Sequence, residues 1–439
     1  MKILFIIPWI PYPLNSGGAQ AFFNMVNEIR KKHSVTLLLT IRCKNDEENV
    51  NRLKAVWNDV DIRSYDARKE SAYDDFRAYI KSTSMGKLTA MSCKWMYKTQ
   101  QSLKRKINRR IDRQQGKNLQ TIIRKNSTLF NNINLLTPGF LNFVKKVTLK
   151  GFEITQIEFY EYLPLVHILP QNTKTVFVHH EIRFIHNENE LSVMNDVTPH
   201  DRIMLEEEKA KEIYNLSKYD HIIVLTNTDR NILKKLLPNS DIYISPAITM
   251  ASLQTNKALN FKPANELVFM GNSSHIPNIE GLTWFCSNVM PAVSNHNKDT
   301  KLYVTGNWND NSKKIIKSIY PDIIFTGFVE DISSFINGKI SIIPIRIGSG
   351  TRMKAIDAMM SFSPIVTTSK GCEGLMLENR KDVMYADKPL DFADAIIELL
   401  NNQELQRLIT TNAIKKISTS LNSKEMLDTR LNFYNSITL

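Results

Sequence analysis

The sequence predicts an α/β protein built from two doubly wound, Rossmann-like parallel domains facing each other across a cleft. Three observations predict it. Short apolar, β-branched runs alternate with segments of helical periodicity, the pattern of βαβ units. Two such series occur, separated by a polar stretch without clear period at 248–264. The 439 residues are 42% hydrophobic and 23% charged, ordinary for globular chains and sufficient for two cores. That composition excludes a disordered, collagen-like or disulfide-stapled chain.

The elements follow in order. Residues 2–7 and 34–40 read as buried strands, and 19–31 between them place Phe22, Met25, Val26 and Ile29 on one helical face. Further strands are expected at 154–158, 174–178, 221–225 and 241–244. The second series is 267–270, 301–305, 323–326, 340–344, 364–367 and 383–385. The boundary is placed at Ser245-Pro246-Ala247, dividing the chain into a first domain over 1–247 and a second over 248–439. The last helix, about 422–439, is expected to pack back on the first domain. The apolar run after Met1 is too short for a signal peptide and reads as a first strand, and no apolar run approaches membrane-spanning length.

Charge is the unusual feature. Lys and Arg number 57 against 44 Asp and Glu, a net +13. The excess is local: residues 81–125 hold thirteen Lys/Arg and one acid, Asp112, leaving the remainder nearly neutral. A whole-protein argument for nucleic-acid binding therefore does not follow, and no RNA-binding motif accompanies the charge. Within this insert Leu88, Met91, Trp95, Leu103, Ile107 and Ile111 recur near every fourth residue. Cations with an apolar stripe suit an anionic membrane surface; a solvated helix packed on its own domain is the plainer alternative. Cys43, Cys93, Cys286 and Cys372 are too scattered for a zinc site or a disulfide framework, which fits a reducing compartment. The expected setting is cytoplasmic, peripheral on the inner membrane face.

Ligands of doubly wound sheets bind beyond the carboxyl ends of the strands, so informative residues should follow strands. Gly17 and Gly18 lie between the first strand and its helix, where backbone can approach a ligand. Gly348, Ser349, Gly350 and Thr351 follow the strand expected at 340–344 and lead into a helix, presenting amides to an anion beside Arg352 and Lys354. Asp357 follows on that helix, positioned to accept sugar hydroxyls. A capped helix with ordinary surface charges is the plainer reading of this segment. The one Asp-x-Asp, Asp59-Val60-Asp61, reads as surface, so no metal ligands are assigned.

Residues 348–375, GSGTRMKAIDAMMSFSPIVTTSKGCEGL, resemble the donor-binding segment of family 4 glycosyltransferases, which have the GT-B fold. The run 11–20, PYPLNSGGAQ, is similar to that family's N-terminal glycine loop. The stretch from Leu267 through Gly271, Pro277-Asn278 and Trp284-Phe285 is similar to the start of its second domain, and 325–331, FTGFVED, to the turn under the donor base. The resemblance covers both ends and most of the second half, and is weakest over 45–150.

It implies a retaining, metal-independent hexosyl- or related transferase that moves a sugar from a nucleotide-sugar donor to a lipid-linked or polysaccharide acceptor. No cofactor is implied, the nucleotide-sugar being a substrate. Donor contacts would come from Gly17, Gly18, Gly271, Asn278, Val329, Gly348, Ser349, Gly350, Thr351, Glu373, Gly374 and Leu375. Asp357 matches the glutamate that holds the donor ribose. Ser349 falls where the family has its other motif glutamate, and a hydroxyl does not replace that charge. The family's basic pair for the pyrophosphate is also missing, with Asn272-Ser273-Ser274-His275 in its place, so Arg352 and Lys354 are the expected substitutes. His180 matches a histidine facing the donor sugar; His179 alternates to the other face of the strand. A core role for His180 stays open, and Glu158 is placed on the acceptor side. Two other readings remain: a non-catalytic GT-B subunit that binds membrane or a partner, and a nucleotide-sugar 2-epimerase, whose added carboxylates are not found here.

Overall fold

The computed structural model describes the chain except residues 15–16, 70–122, 125–126, 128, 131–134, 247–259, 351, 421–422 and 439. Thr351 and almost all of the basic insert therefore lie outside the described residues.

The first sheet has seven strands: β1 (Lys2–Ile6), β2 (Ser34–Ile41), β3 (Asp61–Asp66), β4 (Ile154–Glu158), β5 (Lys174–His179), β6 (His221–Val224) and β7 (Asp241–Ile244). All pair parallel, in the order β3-β2-β1-β4-β5-β6-β7. Parallel strands are covered by crossover helices on both faces, so they read as continuous apolar runs; β1 buries Ile3, Leu4, Phe5 and Ile6 completely. The second sheet joins β8 (Glu266–Met270), β9 (Leu302–Thr305), β10 (Ile324–Gly327), β11 (Lys339–Ile343), β12 (Ile365–Thr367) and β13 (Met384–Tyr385) in the order β10-β9-β8-β11-β12-β13. Strand β3 was not expected. It is an edge strand pairing with β2 alone, and one buried side chain, Ile62, leaves it no apolar signature. Asp59 and Asp61 at its start are surface groups, paired with Arg30 and Arg63.

The helix Ser423–Ile437 lies on the first domain, although it follows the second in sequence. Tyr434 is fully buried and its hydroxyl donates to Gln156 Oε1 at 2.6 Å. Phe433 stacks on Tyr243 with ring centroids 4.6 Å apart, and Arg430 Nε donates to Ser245 Oγ at 2.8 Å. Each large apolar side chain buried this way stabilises the docking by roughly 1.5–3 kcal/mol. Of the insert's thirteen basic residues, Arg124 is described. It is engaged by the protein itself, 2.9 Å from Asp201 and 4.7 Å above the Phe130 ring. Among the described residues no helix is long and apolar enough to cross a membrane.

Candidate active site

Each sheet reverses its strand order once, between β1 and β4 and between β8 and β11. Crevices open outside the carboxyl ends of strands at such points. Here the two crevices share a cavity of about 680 Å³, lined by Trp9, Gly18, Phe159, His180 and Glu181 from the first domain and by Ser349 and Arg352 from the second. That size suits a small-molecule ligand.

The first-domain wall is made of side chains. Glu158 ends β4, and Phe159 after it takes φ +70°, a left-handed conformation costly for a bulky residue. That turn lays the Phe159 ring flat on His180, centroids 4.0 Å apart and planes 5° off parallel, with Trp9 edge-on at 5.3 Å. His180 Nε2 is 2.5 Å from Glu158 Oε2, and Gln156 Nε2 donates to Glu158 Oε1 at 2.5 Å. Glu158 therefore does not line an acceptor surface, contrary to the sequence expectation. It is 1% exposed and stands behind His180, both oxygens engaged. The cause is strand register: β4 and β5 are neighbours, so the residue just past β5 reaches the last residue of β4.

His179 does point to the other face. Its Nε2 is 2.7 Å from the buried Glu212, which also accepts the backbone N–H groups of Arg183 and Phe184 at 2.9 and 2.8 Å. Those amides begin the helix Arg183–Ser192, whose N-cap Ile182 has no side-chain acceptor, so Glu212 caps it from outside. On that helix His186 lies between Glu181 (Nδ1 to Oε1, 2.7 Å) and Glu190 (Nε2 to Oε1, 3.1 Å). Burial disfavours its charge, but the two carboxylates win and raise its pKa to about 9. Burial likewise opposes the ionisation of Glu181. His186, Arg183 and Arg352 outweigh it and hold that carboxyl well below the usual range.

The second-domain wall is backbone and cations. Gly348 N donates to Asn189 Oδ1 at 3.3 Å and Ser349 N to Glu181 Oε1 at 3.2 Å, while Ser349 Oγ accepts from Ile182 N at 2.8 Å. The amides of Gly348 and Ser349, two of the four expected to receive a donor anion, are thus engaged by the first domain. Gly350 has φ +78°, and a Cβ there would sit 2.3 Å from His180 O, so this position requires glycine. Arg352 donates to Ile347 O and Lys370 O at 3.2 and 3.4 Å, its guanidinium bordering the cavity.

Lys354 lies deeper on the helix Met353–Met360, its Nζ donating to Asn278 Oδ1 at 2.7 Å above the Phe269 ring. Burial and the Arg352 charge lower its pKa to about 7. Asn278 in turn donates to Asn272 O at 3.0 Å and packs against Gly271, joining the end of β8 to this group. Asp357, one turn on, keeps an exposed surface, but loss of solvation from the protein around it raises its carboxyl to about 6. Val329 is half-buried just past β10.

Glu373 and Gly374 line a neighbouring cavity of about 510 Å³ with Thr226 and Pro246, and Lys370 binds Glu373 at 3.0 Å. Leu375 beside them is buried. The sequence reading missed Trp9, Phe159, Glu181, Arg183, His186 and Asn189. The last four lie on or just before one helix, Arg183–Ser192, where a charged run looks like surface. Among the described residues no group of three or more His, Cys, Asp or Glu could hold a metal ion.

Two parallel doubly wound sheets around an interdomain cleft are the GT-B architecture, the fold class of many glycosyltransferases. Solved structures agree over nearly the whole chain. A mutant of S. aureus TarM in complex with fondaparinux, α-GlcNAc-glycerol and UDP aligns with a TM-score of 0.64 at 13% identity, covering 99% of this chain and 100% of that one. Sucrose-phosphate synthase from Thermosynechococcus elongatus aligns at 0.62 and 12%, covering 100% and 99%. Anabaena HepE in complex with UDP aligns at 0.61 and 9%, covering 99% and 100%. Residues 264–402 match the family model described as Glycosyl transferases group 1. A Klebsiella pneumoniae protein described as an uncharacterized 44.6 kDa protein in the cps region is 30% identical over 168 residues, 36% of this chain. The chain spans 43% of that relative's length. Residues 264–402 thus carry the group 1 glycosyltransferase pattern within a GT-B fold, as the resemblance implied.

Proposed function

We propose that the chain is a retaining glycosyltransferase that moves a sugar from a nucleotide-sugar donor to a lipid-linked or polysaccharide acceptor, without a metal. The observation that carries this is one cleft at both topological switch points, with the aromatic–histidine wall of one domain facing the Arg352 cation of the other. The group 1 match over 264–402 supports the reaction class, and the cps-region relative supports a polysaccharide setting.

In this reading the donor diphosphate lies against Arg352 and Lys354. The bond from the anomeric carbon to the leaving phosphate oxygen breaks, its electron pair leaves with the diphosphate, and positive charge develops on the sugar. A dianion beside Lys354 favours the ammonium form, so the lysine becomes charged where charge is needed. The acceptor hydroxyl attacks from the same face, and its proton passes to the departing phosphate oxygen. His180, held by Glu158 and stacked on Phe159, faces the sugar and stabilises the developing charges. The insert 81–125 would hold the enzyme at the anionic membrane that carries a lipid-linked acceptor.

The test is nucleotide release from a panel of UDP- and GDP-sugars, with Asp357→Ala as the inactive reference. Turnover of one donor, lost in the variant, supports the reading. No binding and no turnover across the panel would favour the non-catalytic subunit instead.

A further inference from the structure

Glu181 stands out among the side chains of the cleft. It is an acid on the first domain seated on the second domain's loop. Its Oε1 accepts Ser349 N–H at 3.2 Å and lies 2.7 Å from His186 Nδ1. A Cβ at Gly348 would come within 2.6 Å of the same oxygen, so the carboxylate occupies the space that this glycine leaves. Among the described residues its other oxygen, Oε2, meets only Arg183 Nη1 at 4.0 Å. The side chain keeps 21% of its surface and borders the main cavity.

The loop itself brings no acid. The Ser349 side-chain oxygen already accepts Ile182 N–H. A fixed carboxylate repels a diphosphate, so the part of a nucleotide-sugar that it can face is the uncharged ring. Sugar hydroxyls are donors to such an oxygen, and hydrogen bonds to an ionised acceptor are the strong ones. We propose that Glu181 recognises the donor's sugar, accepting a ring hydroxyl on Oε2 while Oε1 stays bound to Ser349 N–H. This rests on the nucleotide-sugar reading above. The acid and the loop come from different domains, so the sugar subsite is assembled only when the two meet.

The experiment compares binding of a nucleoside diphosphate with binding of the nucleotide-sugar turned over in the panel, by calorimetry, for the wild type, E181Q and E181D. The expected result is a nucleotide-sugar affinity lowered about 10- to 100-fold in E181Q, with the nucleoside diphosphate within about twofold of wild type. E181D should recover part of the loss, and thermal melting should show both variants folded. Equal losses for both ligands, or an unchanged nucleotide-sugar affinity, would overturn the proposal by reducing Glu181 to a contact between domains. A wild type that binds neither ligand overturns the functional reading and this inference with it.

Discussion

The two walls of the cleft are built on different principles. The wall after β8 and β11 is local: Gly348, Gly350, Arg352 and Lys354 lie within seven residues, and its shape is set by backbone turns and one helix start. The wall after β1, β4 and β5 is convergent. Trp9, Phe159 and His180 come from three strand ends, and the histidine's support passes through Glu158 and Gln156 to Tyr434 near the far end of the chain. A local wall leaves a sequence motif. A convergent wall leaves isolated residues that look like core or surface until strand register joins them.

Four changes test this contrast, in falling order of expected effect. Gly350→Ala should be the most damaging because it strikes where the walls touch. The added Cβ meets His180 O at 2.3 Å and the backbone is left-handed, so loop and strand end must part. Strain and clash of about 3 kcal/mol correspond to roughly a hundredfold loss of turnover. Near-wild-type steady-state rates would show that the walls need not touch.

Lys354→Met should lower kcat/KM about 30-fold by removing one charge-assisted contact to the diphosphate, near 2 kcal/mol. The same lysine predicts a pH effect. Its pKa is depressed to about 7, so it is charged below that value and increasingly neutral above it. Wild-type affinity for a nucleoside diphosphate should therefore fall as pH rises from about 7 towards 9, and Lys354→Met should flatten that slope. A flat wild-type titration would remove Lys354 from the phosphate site.

Glu158→Gln keeps the shape but not the charge behind His180. The expected result is a kcat about tenfold lower, about 1.4 kcal/mol, with donor KM unchanged. Loss of donor binding instead would make Glu158 a binding residue. The smallest effect is expected furthest from the chemistry. Tyr434→Phe leaves buried Gln156 Oε1 without its donor, a cost of about 1–3 kcal/mol in a denaturant titration, with kcat close to wild type. A large kcat loss there would mean that the relay to His180 reaches as far as the last helix.

The strands other than β3 and the helix after β1 were legible because each buries a continuous apolar run or an apolar stripe, which leaves a period in the sequence. β3 was not, because an edge strand with one buried side chain has no such period. His180 was separable from His179 because strand neighbours point to opposite faces, and the structure sends His179 to Glu212. Glu158 was recognised as following the line of a strand but assigned to the wrong surface. Its direction depends on which residue the adjacent strand end brings beside it. The loop at 348–350 was recognised, but not that Asn189 and Glu181 engage its amides from about 160 residues away.

By itself the sequence determined two doubly wound domains, the glycine-and-cation loop after β11 and the confinement of the excess charge to 81–125, since periodicity, local turn chemistry and composition are properties of short segments. Only the tertiary structure decided that Glu158 stands behind His180 and that Glu181 crosses to Ser349. Those facts depend on strand order and on how two sheets meet, and no local stretch of sequence encodes either.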